Sequence, residues 1–166
     1  MDVPDLDAFP PVPHGRLYED FAEGQVLEHH WGRTLTAGDN AVFTTATCAW
    51  LPLYVNAEHA RAQGHPDVVV NPMLVLCTTV GLSVEDLSEI GGPFLGIDEC
   101  RFHRAVHPGD TLVARSTVLA ARVSTSRPGF GIVTWRTQAH DQRGDLVLEL
   151  VRSNLVLQRP AEQVGA

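Results

Sequence analysis

The chain has 166 residues, of which 44% are hydrophobic and 19% are charged, and its formal net charge is −8. This length and composition are typical of one globular domain that can bury a core. No stretch approaches the roughly 20 apolar residues of a membrane-spanning helix. Because nucleic acid needs a basic face to neutralise its phosphates, the acidic charge indicates small molecules or proteins as partners, not nucleic acid or a membrane.

The start of the chain and its cysteines indicate the cellular compartment of the protein. The acidic, proline-rich start lacks the basic and apolar segments of a signal peptide, and the three cysteines are odd in number and widely spaced. We therefore expect a cytoplasmic protein with reduced thiols. Residues 1–14 are predicted to form a flexible N-terminal arm, residues 15–158 the domain, and residues 159–166 a C-terminal tail.

Helix signals dominate the first half of the chain. Thr36 with Asp39 three residues later predicts a helix start of the capping-box type. The stretch Cys48–Tyr54 is predicted to be irregular. Asn56 can then cap a second small helix over Ala57–Gln63.

The longest helix is predicted in the middle of the chain. Asn71 as cap and Pro72 as first helical residue form a strong start signal for a helix over Met73–Ile90, which Gly91-Gly92-Pro93 ends. Its first half is apolar nearly all round, so we expect this central helix to be buried on most sides.

Strands fill the second half, with one more strand before the helices. Turn sequences rich in proline, glycine and aspartate separate them. The five predicted strands are Val26–Leu35, Phe94–His103, Thr111–Ser124, Gly131–His140 and Asp145–Gln158. This order predicts an α+β fold, a five-stranded antiparallel sheet wrapped around a long central helix, for which single hot-dog fold is the economical description.

Several local motifs stand out along the chain. They are Thr34–Asn40 for "T-x-T-x-x-D", Pro52-Leu53 for "N-P-L-H", Val70-Asn71 for "V-N-G", and Phe102–Leu112 for "R-F-x-x-P-V-x-P-G-D-T-L". Together they resemble the motifs of MaoC-like dehydratases and (R)-specific enoyl-CoA hydratases, which have the hot-dog fold. Ser126–Pro128 with Gly131–Val133 is similar to the branch that contains mesaconyl-CoA hydratases.

The resemblance implies chemistry on the double bond of an enoyl thioester, to which family hydratases add water. The family uses an Asp/His pair from "D-x-N-P-x-H" to grip the water, and the N–H of a glycine to hold the thioester carbonyl. These three positions fall on Ala49, Tyr54 and Pro72. Because none supplies the group that the family uses there, the resemblance implies that the usual mechanism is lost.

The candidate site follows from the same comparison. Tyr54 is the candidate catalytic residue, since its hydroxyl could donate a hydrogen bond to a carbonyl or leaving group, although it could also merely fill space. The N–H groups of Met73 and Leu74 are expected to stay unpaired, as a weaker anion-attracting helix end. The predicted pocket residues are Cys48, Ala49, Trp50, Asn71, Pro72 and Met73.

Other residues have two interpretations each. Cys48 could be a nucleophile, but a small buried thiol is favoured. Arg127 could bind the thioester carrier's phosphates or be an ordinary exposed turn arginine. Glu85 and Asp86 are interpreted as a solvated face. The spacing of the histidines predicts no metal site.

Two hypotheses for function remain, with a thioesterase ranked third. The first is an acyl-thioester lyase, dehydratase or cyclase with a non-standard site. The alternative is a non-catalytic acyl-binding or partner subunit of a heteromeric hydratase. In both, a coenzyme A or phosphopantetheine thioester carries the acyl group and no further cofactor is expected. Hot-dog domains of this type usually pair, so we expect a homodimer or a heterodimer with a MaoC-like paralogue.

Overall fold

A computed structural model describes residues 15–160. Its five strands are β1 (Val26–Thr34), β2 (Phe94–Phe102), β3 (Thr111–Val123), β4 (Phe130–His140) and β5 (Leu146–Leu157). They form one sheet in the order β1-β3-β4-β5-β2, in which all neighbours are antiparallel. Every strand begins and ends within one residue of its predicted bounds, and the α+β prediction is confirmed. The predicted arm, residues 1–14, and residues 161–166 of the predicted tail lie outside the described residues.

The helical segment lies between β1 and β2. It contains α1 (Ala37–Ala46), α2 (Pro52–Val55), α3 (Ala57–Ala62), α4 (Pro72–Leu82) and α5 (Val84–Leu87), and a 3-10 turn (Tyr18–Asp20) precedes β1. The capping box of α1 is present as predicted, because the Thr36 hydroxyl accepts the Asp39 N–H and the Asp39 carboxylate accepts the Thr36 N–H. The prediction of an irregular stretch up to Tyr54 was wrong in part, since Pro52 starts a single helical turn.

The core lies between α4 and the concave face of the sheet. Inward side chains alternate along β3 and β4, as a half-buried antiparallel sheet requires. One buried cluster joins Val70 and Val75 to Leu148 and Leu150 on β5. A second surrounds Trp135, and the structure therefore has the predicted sheet wrapped around one helix.

The central helix is shorter than predicted, because it breaks at Ser83. The Ser83 hydroxyl donates to the Val80 carbonyl at 2.7 Å and accepts a hydrogen bond from Arg152 at 2.9 Å. A serine side chain that bonds to the preceding turn competes with the helical ladder. Arg152 is 1% exposed, and burial lowers the pKa of its guanidinium to about 10. The predicted helix over Met73–Ile90 is thus two helices, α4 and α5.

The prediction that the central helix is buried on most sides was also wrong for the chain by itself. Val75 and Thr79 are buried, but Met73, Cys77 and Gly81 form an exposed stripe at four-residue spacing. No helix among residues 15–160 has both the length and the apolar character that crossing a membrane requires.

Candidate functional site

Five of the predicted pocket and catalytic residues surround one cavity. This Pro72 cavity has a volume of about 370 Å³ and is lined by Phe43, Thr47, Ala49, Tyr54, Asn71, Pro72 and Met73. A turn at the end of α1 directs Ala49 to it. Cys48 adopts a left-handed φ of 54°, and the Ala49 N–H donates to the Thr44 carbonyl at 2.9 Å. This is a Schellman ending, in which cysteine occupies the position that glycine usually takes.

A second cavity lies against the same wall. This His65 cavity has a volume of about 320 Å³, and Tyr54 and Pro72 line it as well as the Pro72 cavity. Its remaining walls are mostly apolar, with three further polar side chains among them. The other lining residues are Leu53, His65, Val69, Val70, Val75, Phe102, His103, Arg104, Ala105 and Val106.

Asn40 holds the shared wall together. Its side chain is 2% exposed, accepts the Asn71 N–H at 2.8 Å and donates to the Tyr54 carbonyl at 2.9 Å. One amide from α1 therefore connects the Tyr54 turn to the start of α4. A buried amide that makes these bonds is costly to remove, because its partners would be left unpaired.

The start of α4 has no free donor in its first turn. Pro72 has no N–H, the Met73 N–H donates to the Asn71 side-chain oxygen, and the Leu74 N–H donates to the Asn71 carbonyl, both at 2.9 Å. The expectation that the Met73 and Leu74 N–H groups stay unpaired was therefore wrong. Asn71 is so complete a cap that this helix end cannot hold an oxyanion without rearrangement.

Tyr54 is half-buried between the two cavities. Among residues 15–160 its hydrogen bonds are made by its backbone, through the N–H to the Leu51 carbonyl at 2.9 Å and through the carbonyl to Asn40. The phenol is therefore placed in the cavity wall with its hydroxyl available to a bound molecule.

A histidine pair that sequence reasoning missed borders the same site. His65 Nδ1 lies 3.3 Å from His107 Nε2, and the ring centroids are 5.4 Å apart. Burial is the main reason that the pKa of His107 lies below its ordinary value, although the charges of Asp110 and Asp67 oppose this shift. The hydrogen bond from the Val70 N–H to the Val106 carbonyl, at 2.8 Å, joins the two segments that carry these histidines. No local motif signals a contact across 42 residues.

The remaining predicted residues lie elsewhere. Cys48 is exposed, so the favoured interpretation of a buried thiol was wrong, and Trp50 is 64% exposed. Neither lines the Pro72 cavity. Arg127 lies in the exposed turn after β3, with its guanidinium 5.5 Å from the centre of the Phe130 ring. Since the 13-residue β3 separates that turn from the His107 end of the sheet, Arg127 lies at the end of the strand far from His107.

Asp86 and Glu85 do not form the solvated face that the sequence indicated. Asp86 lies 2.7 Å from His29 Nδ1, and Glu85 accepts the Trp31 indole N–H at 2.7 Å. His29 in turn contacts Ser116 at 2.8 Å. Both carboxylates therefore tie α5 to β1. Within residues 15–160, no group of three or more His, Cys, Asp or Glu side chains is placed to hold a metal.

The sequence and fold of the chain are similar to those of known proteins. The family model for mesaconyl-CoA hydratase matches residues 6–165. Mesaconyl-CoA hydratase from Haloarcula marismortui is 39% identical over 153 residues, which are 91% of this chain and 43% of that protein. The chain thus spans less than half the length of this relative.

Two solved structures share the fold. A MaoC domain protein dehydratase from Chloroflexus aurantiacus superposes with a TM-score of 0.82 at 30% identity, over 88% of this chain and 41% of that one. A double hot-dog protein from Mycobacterium tuberculosis has the same TM-score at 28% identity, over 92% of this chain and 47% of that one. The chain belongs to the mesaconyl-CoA hydratase family of MaoC-like hot-dog proteins.

Proposed function

We propose that the protein is an acyl-thioester hydratase or dehydratase in which the Tyr54 hydroxyl holds the thioester carbonyl. The observation that supports this most is the placement of Tyr54. Its phenol, which makes no hydrogen bond within residues 15–160, lies in the wall beside Pro72, where the family resemblance puts the carbonyl-binding glycine. A neutral phenol is a good hydrogen-bond donor near neutral pH.

In this mechanism the Tyr54 hydroxyl takes the place of the glycine N–H as the hydrogen-bond donor to the thioester carbonyl. One oxyanion donor is worth about 10²–10³-fold in rate. The paired N–H groups at the start of α4 cannot supply it, whereas a phenol can donate to an oxygen on which negative charge develops. Coenzyme A or phosphopantetheine would carry the acyl group. The exposed free cysteines suit a reducing, cytoplasmic setting.

The first test is hydration of crotonyl-CoA and mesaconyl-CoA by the purified protein. Tyr54→Phe should lower kcat by about 10²–10³-fold, because it removes only the hydroxyl. Tyr18→Phe is the matched control, since Tyr18 is the chain's other tyrosine and packs in the second core cluster. An unchanged kcat in Tyr54→Phe contradicts the assignment of Tyr54.

A second candidate function is that of a partner subunit that binds the acyl chain without turnover. Two observations fit the pairing with a second unit that this function requires. The edge strand β2 exposes Phe94, Leu95 and Phe102 by 42–49%, and α4 exposes the stripe of Met73, Cys77 and Gly81. Such apolar surfaces on an edge strand and a central helix fit a second hot-dog unit, from another copy or from a MaoC-like paralogue.

The turnover rate separates the two candidates, and the mass in solution tests the pairing. A partner subunit would bind crotonyl-CoA in calorimetry but hydrate none of it when purified alone. If β2 is the pairing edge, Leu95→Lys should convert a dimer into a monomer, because a lysine on an edge strand opposes pairing.

Arg127 remains a predicted phosphate ligand, and Arg127→Ala should weaken thioester binding if it has that role.

A further inference from the structure

We propose that His65 is the proton-transferring residue of this site, with His107 as its positioning residue. The proposal rests on the proposed function, in which the thioester carbonyl is bound by Tyr54. It assigns the acid–base role that neither Ala49 nor Tyr54 can take over from the family's Asp/His pair.

His65 is placed at the same site as Tyr54. His65 and Tyr54 line the same cavity of about 320 Å³, whose other walls are mostly apolar. An apolar cavity with a few polar groups that converge on it is the usual form of a small-molecule site. Tyr54 also lines the Pro72 cavity and so lies between the two cavities. An acyl thioester bound at the phenol is therefore next to the cavity that His65 lines.

The contact with His107 orients the His65 ring. His65 Nδ1 lies 3.3 Å from His107 Nε2, so this nitrogen is engaged and Nε2 is left for a ligand. With the His65 proton on Nδ1, donated to His107 Nε2, the Nε2 lone pair can accept a proton. Burial favours the neutral ring of His107 and lowers its pKa, which keeps a lone pair available on the accepting nitrogen. A base oriented by a third group is the usual arrangement in acid–base catalysis.

The other polar side chains of the cavity are less suited to the role. Arg104 is committed to ion pairs with Asp145 and Asp141. His103 lines the cavity as well, but its described hydrogen bond is made by its backbone N–H, which donates to the Val147 carbonyl at 2.8 Å. His65 is the imidazole of this cavity that a second side chain orients.

The chemistry balances with this one imidazole. In dehydration of a 3-hydroxyacyl thioester, His65 Nε2 takes the α proton, and the C–H electron pair moves onto the carbonyl oxygen held by Tyr54. The enolate then collapses to form the Cα=Cβ bond, and the Cβ–O bond breaks. The leaving hydroxide takes the proton from His65, which releases the enoyl thioester and water and returns neutral His65. Hydration is the same sequence reversed.

The test measures hydration of crotonyl-CoA by the wild type and a set of histidine variants under the same conditions. His65→Gln should lower kcat by about 10²–10⁴-fold with a much smaller change in KM, since a positioned acid–base group acts mainly in the transition state. His59→Gln is the control, because His59 is an exposed histidine of α3 that lines neither cavity. His107→Ala should lower kcat at constant KM, and added imidazole should restore part of the rate of His65→Ala but not of His107→Ala.

The outcomes separate this inference from the function on which it rests. If wild-type protein hydrates crotonyl-CoA and His65→Gln does so equally well, or if His103→Gln is the variant that loses the rate, the assignment of His65 is wrong and the function stands. If the wild-type protein binds crotonyl-CoA without hydrating it, the enzyme proposal and His65 fail together. Loss of binding in every form contradicts the thioester site itself.

Discussion

The two cavities on either side of Tyr54 share a wall but differ in the groups that they offer. In the Pro72 cavity, the Thr47 hydroxyl is bonded to the Phe43 carbonyl, and the Asn71 side-chain oxygen is bonded to the Met73 N–H. The His65 cavity adds two imidazoles, of which one is oriented by a third histidine. A complete helix cap therefore leaves no free donor on one face of the wall, while long-range packing supplies titratable groups to the other.

The Pro72 cavity is also the place where the family resemblance puts the catalytic groups. In the family, the glycine N–H at the helix start and the Asp/His pair would all face the Pro72 cavity. Here, among the residues that line that cavity, only Tyr54 has a titratable side chain. On our proposal, Tyr54 and His65 together replace three lost groups.

The largest expected effect comes from rebuilding the Pro72 cavity. The triple variant Ala49→Asp, Tyr54→His, Pro72→Gly restores an acid–base pair and a helix-start N–H. It should gain at least about 10²-fold in crotonyl-CoA hydration over the Tyr54→Phe variant, because each restored group is worth about that much. The rate of substrate consumption measures it.

Pro72→Gly alone is the matched control for that gain. By itself it restores only the helix-start N–H, without the acid–base pair, and should produce a smaller increase than the triple variant. A triple variant that folds, as circular dichroism would show, but stays as slow as Tyr54→Phe indicates that these positions do not correspond to those of the family.

The next effect concerns the wall between the cavities. Asn40→Ala should lower the free energy of unfolding by about 2–4 kcal/mol, because the Asn71 N–H and the Tyr54 carbonyl lose their buried partner. Urea unfolding measures this, with Asn56→Ala as a control that removes the exposed cap of α3 and should cost about 1 kcal/mol. Equal losses in the two variants would mean that the buried hydrogen bonds of Asn40 contribute no more stability than an exposed helix cap.

The smallest expected effect concerns Asp39, in the first turn of α1. Hydrogen bonds from Thr36, with the charge of Arg33, hold the pKa of Asp39 below its usual value of 3.8. A depressed pKa contributes stability above the unfolded value, and this contribution is lost as the pH falls through the folded value. The melting temperature of Asp39→Asn should therefore lie slightly below that of the wild type at neutral pH and approach it as the pH falls below 3.8. A difference that is the same at every pH contradicts this origin.

Sequence reasoning predicted the parts of the fold that short-range patterns specify. Strand bounds follow from alternation and turn residues, and Thr36 and Asn71 cap helices as their side chains predict. The break at Ser83 could not be predicted, because Arg152, which bonds to it, is 69 residues away. The pairing of His65 with His107 depends in the same way on the register of distant segments. Ala49, Tyr54 and Pro72 could be placed at one site only through the family resemblance.

The most direct test of the central claim is a crystal structure of the protein with butyryl-CoA, which lacks the double bond and the hydroxyl and so does not react. Our proposal predicts the thioester oxygen within about 2.7–3.1 Å of the Tyr54 hydroxyl, with the α carbon facing His65. A carbonyl oxygen bound by backbone N–H groups elsewhere, with Tyr54 turned away from it, would contradict the proposal.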